Sequence, residues 1–221
     1  MTGIPLGQVR DSLLYLIALI LSITVHEFGH AWMANRLGDR LPAAQGRVTL
    51  NPLRHIDPIG TILFPLLASA GMPVLGWGKP VQTNPTAYTR KFTMRGGHAM
   101  VAMAGPAMNL VMAIVSSLLA ILLAKTIGLP GDMLSQILEK LVGLNLFLMF
   151  FNLLPVPPLD GGAVLAWLLP PSMGSVLAFV ERWGFMILLG LLLTGGLRIL
   201  MMPASFLVDR WMYGLVWILT R

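Results

Sequence analysis

The residues best placed to do chemistry are His26, Glu27 and His30, in the run His26-Glu27-Phe28-Gly29-His30. On a helix, positions i and i+4 share one face a turn apart, so both imidazoles can ligate one zinc ion while the adjacent glutamate reaches the water that zinc activates. With four His and three Glu in 221 residues, an accidental HExxH has odds of about one in a thousand. The competing reading is a structural or catalytically silent metal site.

These three ionisable side chains interrupt an apolar, membrane-length segment. Such groups are costly in lipid unless they line a polar cavity or hold a metal. Their position points to zinc-dependent hydrolysis of peptide bonds within a membrane.

The composition fits that setting. Hydrophobic residues make up 56% of the chain and charged residues 11%. Soluble domains carry about 25% charged residues. The net charge of +6 does not argue for nucleic acid, because the basic residues flank apolar segments without interleaved stacking aromatics. With no cysteine, a zinc ion here must be held by His, Asp or Glu, the donor set of open catalytic sites more than of closed structural ones. The N-terminal 30 residues lack a strong basic start and a small-residue cleavage site, so the first segment is expected to stay in the mature protein.

Four apolar segments are expected to cross the bilayer, at about 12–37, 97–124, 137–154 and 182–201. A fifth piece, 204–220, contains Asp209 and Arg210 and reads as a span or a surface helix. His30 lies six residues before Arg36, about 9 Å of helix rise, which puts the motif below the membrane surface. Between the first two spans, 46–52 and 79–85 alternate like short strands stopped by Asn-Pro. Residues 59–75 are apolar but broken by Gly and Pro, as in a re-entrant or interfacial segment. The expected fold is therefore an α-helical integral membrane protein, with four or five transmembrane helices and a small β element in the first loop. A single domain is expected over 1–221, with a core at 12–165 and C-terminal helices at 166–221.

Eight of the fifteen Lys and Arg residues run from Arg36, at the end of the first span, to Arg95, just before the second, which predicts a cytoplasmic loop at 38–96 and an N-terminus outside. A catalytic zinc site typically has three protein ligands. Asp11, Asp39, Asp132, Glu139 and Asp209 lie near predicted ends or in loops, whereas Asp160 closes a membrane-length run after three prolines. Asp160 is either the third ligand or the N-cap of a helix starting at Gly161.

At this point the residues resemble a family. HEFGH on a membrane helix, followed by Asn152, Pro155, Leu159, Asp160 and Gly161 in the pattern N-x-x-P-x-x-x-L-D-G, is similar to the site-2 protease family of intramembrane zinc metalloproteases. Gly105-Pro106-Ala107-Met108-Asn109 resembles the family's G-x-x-x-N element. The resemblance covers roughly residues 12–165. It implies one zinc ion per chain on His26, His30 and Asp160, with Glu27 as catalytic base and Asn152 near the substrate carbonyl. It also implies that the loop strands clamp an extended substrate, with Val48 and Val81 as nominated contacts. Asn109 is read either as a substrate contact or as an interhelical hydrogen-bonding residue. No room is found for the extra peptide-binding or nucleotide-sensing domains that some members carry.

The implied activity is cleavage of transmembrane segments of single-span proteins, in the lipid bilayer of the cell membrane. A metal transporter would also place His and Asp at mid-membrane, but has no need of Glu27. A non-enzymatic helix-binding module would show a damaged motif, and none is damaged here.

Overall fold

The computed structural model describes residues 6–69, 76–128 and 133–220, and these residues are helical with irregular connections. The elements are α1 (Leu6–Arg36), α2 (Leu41–Ala44), α3 (Phe64–Ser69), α4 (Met94–Ile127), α5 (Met133–Asn152), α6 (Asp160–Leu168), α7 (Gly174–Leu193), α8 (Gly196–Leu200) and α9 (Met202–Leu219). Among the described residues, four helical stretches are long and apolar enough to cross a membrane: Gly7–Arg36, Met94–Thr126, Met133–Asn152 and Pro171–Leu193.

Local chemistry sets the ends of these helices. After Arg36 the chain turns at Gly38, whose φ of 106° is left-handed and open to glycine. Thr93 caps α4 by accepting from the Gly96 amide at 3.0 Å. Three prolines after Asn152 stop α5, and the chain restarts as α6 at Asp160.

Helix α4 is the centre of the bundle and packs against α1, α5, α6 and α9. Gly29 of α1 allows the closest crossing: a Cβ there would meet the Ala104 carbonyl oxygen of α4 at 2.5 Å. On the far side, Ala113, Val142, Leu146 and Leu215 form a buried cluster joining α4, α5 and α9. The Trp211 indole N–H adds a bond to the Ser117 hydroxyl at 3.0 Å. Leu118, Phe185, Phe206 and Tyr213 remain exposed, as expected of a surface facing acyl chains.

Two expectations need correction. No strand occurs among the described residues. Residues 46–51 instead form a turn that runs into the single-turn helix Pro52–Arg54, capped by Asn51. Residues 76–84 have no partner strand. Their backbone is held by isolated bonds, such as Trp77 N–H to Gly60 C=O at 3.1 Å and Lys79 N–H to His55 C=O at 2.9 Å. Alternation over a few residues says which side chains can turn inward, not that two backbones pair. The fourth span is also displaced, since α7 begins at Gly174 rather than near Arg182. The expected span begins at the charged Arg182, yet Glu181 and Arg182 both lie inside the helix.

The segment expected to dip or lie at the interface is a π-helical turn at Pro58–Leu63 leading into α3. Asp57 caps it by accepting from the Ile59 and Gly60 amides at 3.0 and 2.8 Å. Residues 70–75 of that expectation lie outside the described residues.

Candidate metal centre

His26 and His30 lie one helical turn apart on α1 and face α4 and the start of α6. Each ring is oriented through its Nδ1 atom. The Nδ1 of His26 is 2.6 Å from the Asn109 Oδ1, and that of His30 is 2.8 Å from the Val101 carbonyl oxygen. Both acceptors require N–H at Nδ1, so each neutral imidazole presents a bare Nε2. Room for the rings comes from Gly105. A Cβ there would meet His30 Cε1 and Nε2 at 2.5 Å and His26 Cε1 at 2.7 Å.

Asp160 completes the cluster. Its Oδ2 is 3.3 Å from His26 Nε2, its Oδ1 is 3.4 Å from His30 Nε2, and the two Nε2 atoms are 3.0 Å apart. One candidate ligand atom from each residue lies within 4.8 Å of the others. Tetrahedral ligands about 2.0–2.1 Å from a zinc ion are roughly 3.3 Å apart, which matches these separations. The Asp160 Oδ2 is buried without a hydrogen-bond partner. In that tautomer two imidazole Nε2 atoms and a carboxylate converge, a donor set that fits a cation. The capping role open to Asp160 in the sequence is not taken: Leu159 is the N-cap, and no side chain caps α6.

Glu27 is buried beside these ligands. Its Oε2 accepts from the Val81 amide at 3.0 Å and lies 3.8 Å from the Arg47 guanidinium. Arg47 also donates to the Lys79 carbonyl. Burial lowers the Arg47 pKa from its ordinary value, and the Glu27 carboxylate opposes that shift. His55 lies deeper in the same loop, fully buried, with its Nε2 2.8 Å from the Thr49 carbonyl. Burial pushes its pKa down and keeps it neutral at pH 7. His55 and Asp57 thus build the loop that carries residues 77–81 over α1.

The other expected residues are spread around this centre. Val81 lines a cavity of about 320 Å³ together with His30, His98, Pro157, Asp160 and Glu181. Val48 is half-buried in the turn after Arg47 and is not among the residues lining that cavity. Asn152 ends α5, and its Nδ2 donates to the Leu148 carbonyl at 3.0 Å. Asn109 is fully buried, with its amide N–H groups directed to the Asn145 Oδ1 at 2.7 Å and to the Ser22 carbonyl at 3.4 Å. Asn145 in turn donates to the Ser22 hydroxyl at 2.7 Å.

Sequence reasoning missed Ser22, Asn145 and Glu181, and it reads His98, which lines the cavity, as an interfacial residue at the start of the second span. The available signal was weak. Asn145 is an isolated amide in an apolar run, and an Asn at that depth needs partners on other helices.

The fold and cluster define a multi-pass membrane protein with a histidine–histidine–carboxylate centre enclosed by its helices. The model of Peptidase family M50 matches residues 129–193, the stretch containing α5, Asp160 and α7. The "Putative zinc metalloprotease YwhC" of Bacillus subtilis is 37% identical over 182 residues, covering 80% of this chain and 79% of the relative. The "Putative zinc metalloprotease Rip2" of Mycolicibacterium smegmatis is 32% identical over 216 residues, covering 96% and 75%. A shorter match, 40% over 67 residues, joins 30% of the chain to 32% of the "Putative zinc metalloprotease MJ0611" of Methanocaldococcus jannaschii. None of the solved structures matches the chain significantly. The chain belongs to peptidase family M50, the site-2 proteases.

Proposed function

We propose that this chain is an intramembrane zinc endopeptidase that cleaves transmembrane segments of single-span membrane proteins. The observation that carries this reading is the convergence of His26, His30 and Asp160 within 4.8 Å, beside a buried Glu27 in a helical bundle of membrane length. His26, His30 and Asp160 would hold one zinc ion per chain. When bound, zinc lowers the pKa of water toward about 7 and polarises a carbonyl.

The remaining chemistry belongs to this chain's side chains. Glu27 takes the proton from the attacking water and returns it to the leaving amine. Asn109 and the Val101 carbonyl keep the histidines in the tautomer that offers Nε2. Asn152 has one amide hydrogen engaged by Leu148 and a second available as a donor to the developing oxyanion. A helical substrate must unwind before its carbonyl can be attacked. The extended run around Val81, beside Glu27, offers a backbone edge against which such a segment can lie. Val48 belongs to this reading as a further residue of the loop beside the substrate path, whereas Asn109, fully buried with its amide engaged by His26, Asn145 and Ser22, acts through His26 and not as a substrate contact. The bilayer supplies both medium and substrate, with the N-terminus outside, 38–96 in the cytoplasm, and the chain acting as one domain with its core at 12–165.

Co-expression with candidate single-span proteins tests the proposal. Wild type should yield a zinc-dependent cut within the membrane segment, and Glu27→Gln should yield none. Equal cleavage by both would refute it.

A further inference from the structure

We propose that Glu181 is a specificity-determining residue that selects a basic side chain in the substrate segment next to the scissile bond. This rests on the protease reading above and adds to it the chemistry of the preferred substrate.

The argument begins with depth. In the span Pro171–Leu193, Glu181 lies ten residues after one end and twelve before the other, roughly 15 and 18 Å of helix rise. A carboxylate at mid-span is costly unless it meets water or a cation. Among the described residues Glu181 has no ion pair. Its neighbour Arg182 places its guanidinium 5.7 Å from the centre of the Trp183 ring.

Helix packing then fixes where Glu181 faces. Gly184 follows one turn later on the same face, is buried, and presses so closely on Pro157 that a Cβ would collide with the Pro157 carbonyl oxygen. Pro157 and Glu181 both line the cavity that also contains His30 and Asp160. Glu181 is thus an exposed residue at the rim of a cavity whose lining also includes the candidate metal ligands His30 and Asp160. The cavity, about 320 Å³, accommodates one or two side chains rather than a helix.

Charge selects the occupant. An acidic group would be repelled by Glu181. An apolar group would displace water from the carboxylate and leave it without a partner. A Lys or Arg side chain satisfies it, and brings a cation that would itself be costly in lipid.

The test uses the full-length, zinc-loaded enzyme in proteoliposomes. Its substrates are single-span proteins identical except for Lys, Leu or Glu at each position flanking the cut. With wild type, Lys at one of these positions should raise kcat/KM over Leu by about tenfold or more. Glu181→Gln should compress that preference to within about twofold, and Glu181→Lys should reverse it in favour of Glu. Zinc content and melting temperature report folding, and Glu181→Gln carries the test if the lysine variant misfolds. The proposal is overturned if Glu181→Lys keeps the wild-type order, or if Glu181→Gln slows all substrates equally with zinc intact. Failure of the protease reading looks different, because wild type and Glu27→Gln would then both leave every substrate uncut.

Discussion

The Nδ1 of His26 and the Oδ1 of Asn109 are 2.6 Å apart across the α1–α4 crossing. Through Asn145 and the Ser22 hydroxyl, this contact ties one turn of α1 to α4 and α5. Interhelical bonds of this kind average about 0.6 kcal/mol. Loss of a residue that orients a metal-bound histidine typically costs 10–100-fold in affinity, roughly 1.4–2.7 kcal/mol. The metal effect should therefore exceed the folding effect. Asn109→Ala is expected to weaken zinc binding by about 10–100-fold with a small drop in melting temperature. Competition with a chelator of known affinity measures it, and unchanged zinc affinity would remove Asn109 from the site.

Gly105 gives a steric prediction. A Cβ at this position would lie 2.5 Å from the His30 ring and 2.7 Å from that of His26. Gly105→Ala should push both imidazoles off their acceptors and deplete the metal. A full zinc complement in the purified alanine variant, measured by elemental analysis, would contradict this geometry.

The metal cluster was more legible in the sequence than the loop above it. HExxH fixes its own geometry, because i and i+4 on a helix must share a face. Asp160 stood out because a carboxylate after three prolines at membrane depth needs a partner. Glu27's contact with the Val81 amide joins residues 54 positions apart, and no local pattern encodes it. The loop's backbone is held by side chains, as where Asp39 accepts from the Asn84 amide at 2.6 Å, so alternation there does not signal a sheet. Glu181 was overlooked because charge was read as the edge of a span rather than as a wall of a cavity.

Ligand and base should separate cleanly. Asp160→Ala removes one of three converging donors and should lose both zinc and cleavage. Glu27→Gln keeps the donors and should hold zinc while losing turnover, because an amide cannot accept the proton from water. Zinc content and single-turnover cleavage, read on both variants, decide this. A zinc-replete Asp160→Ala protein or an active Glu27→Gln protein would break the assignment.

Orientation rests on the excess of Lys and Arg between α1 and α4. Arg90, in that loop, is expected in the cytoplasm. The chain has no native cysteine, so Arg90→Cys gives a single label site. An impermeant maleimide should leave it unlabelled in intact cells and label it after permeabilisation. The reverse pattern would invert the topology.

Asn152 is the residue for which chemistry and architecture compete most closely. Its amide donates to the Leu148 carbonyl at 3.0 Å, a bond that also serves to finish α5. It stands eight residues before Asp160, at the start of a segment that its prolines keep from being regular helix. An oxyanion donor of this type contributes about 3 kcal/mol, or 10²–10³ in rate. Breaking only a helix-ending bond would cost about 1 kcal/mol of stability and leave the chemical step alone. Asn152→Ala should thus lower kcat by about 10–1,000-fold with zinc retained and KM little changed. Loss of zinc or of the folded protein would instead make Asn152 a brace for the Pro155–Asp160 turn, and its catalytic role would have to be abandoned.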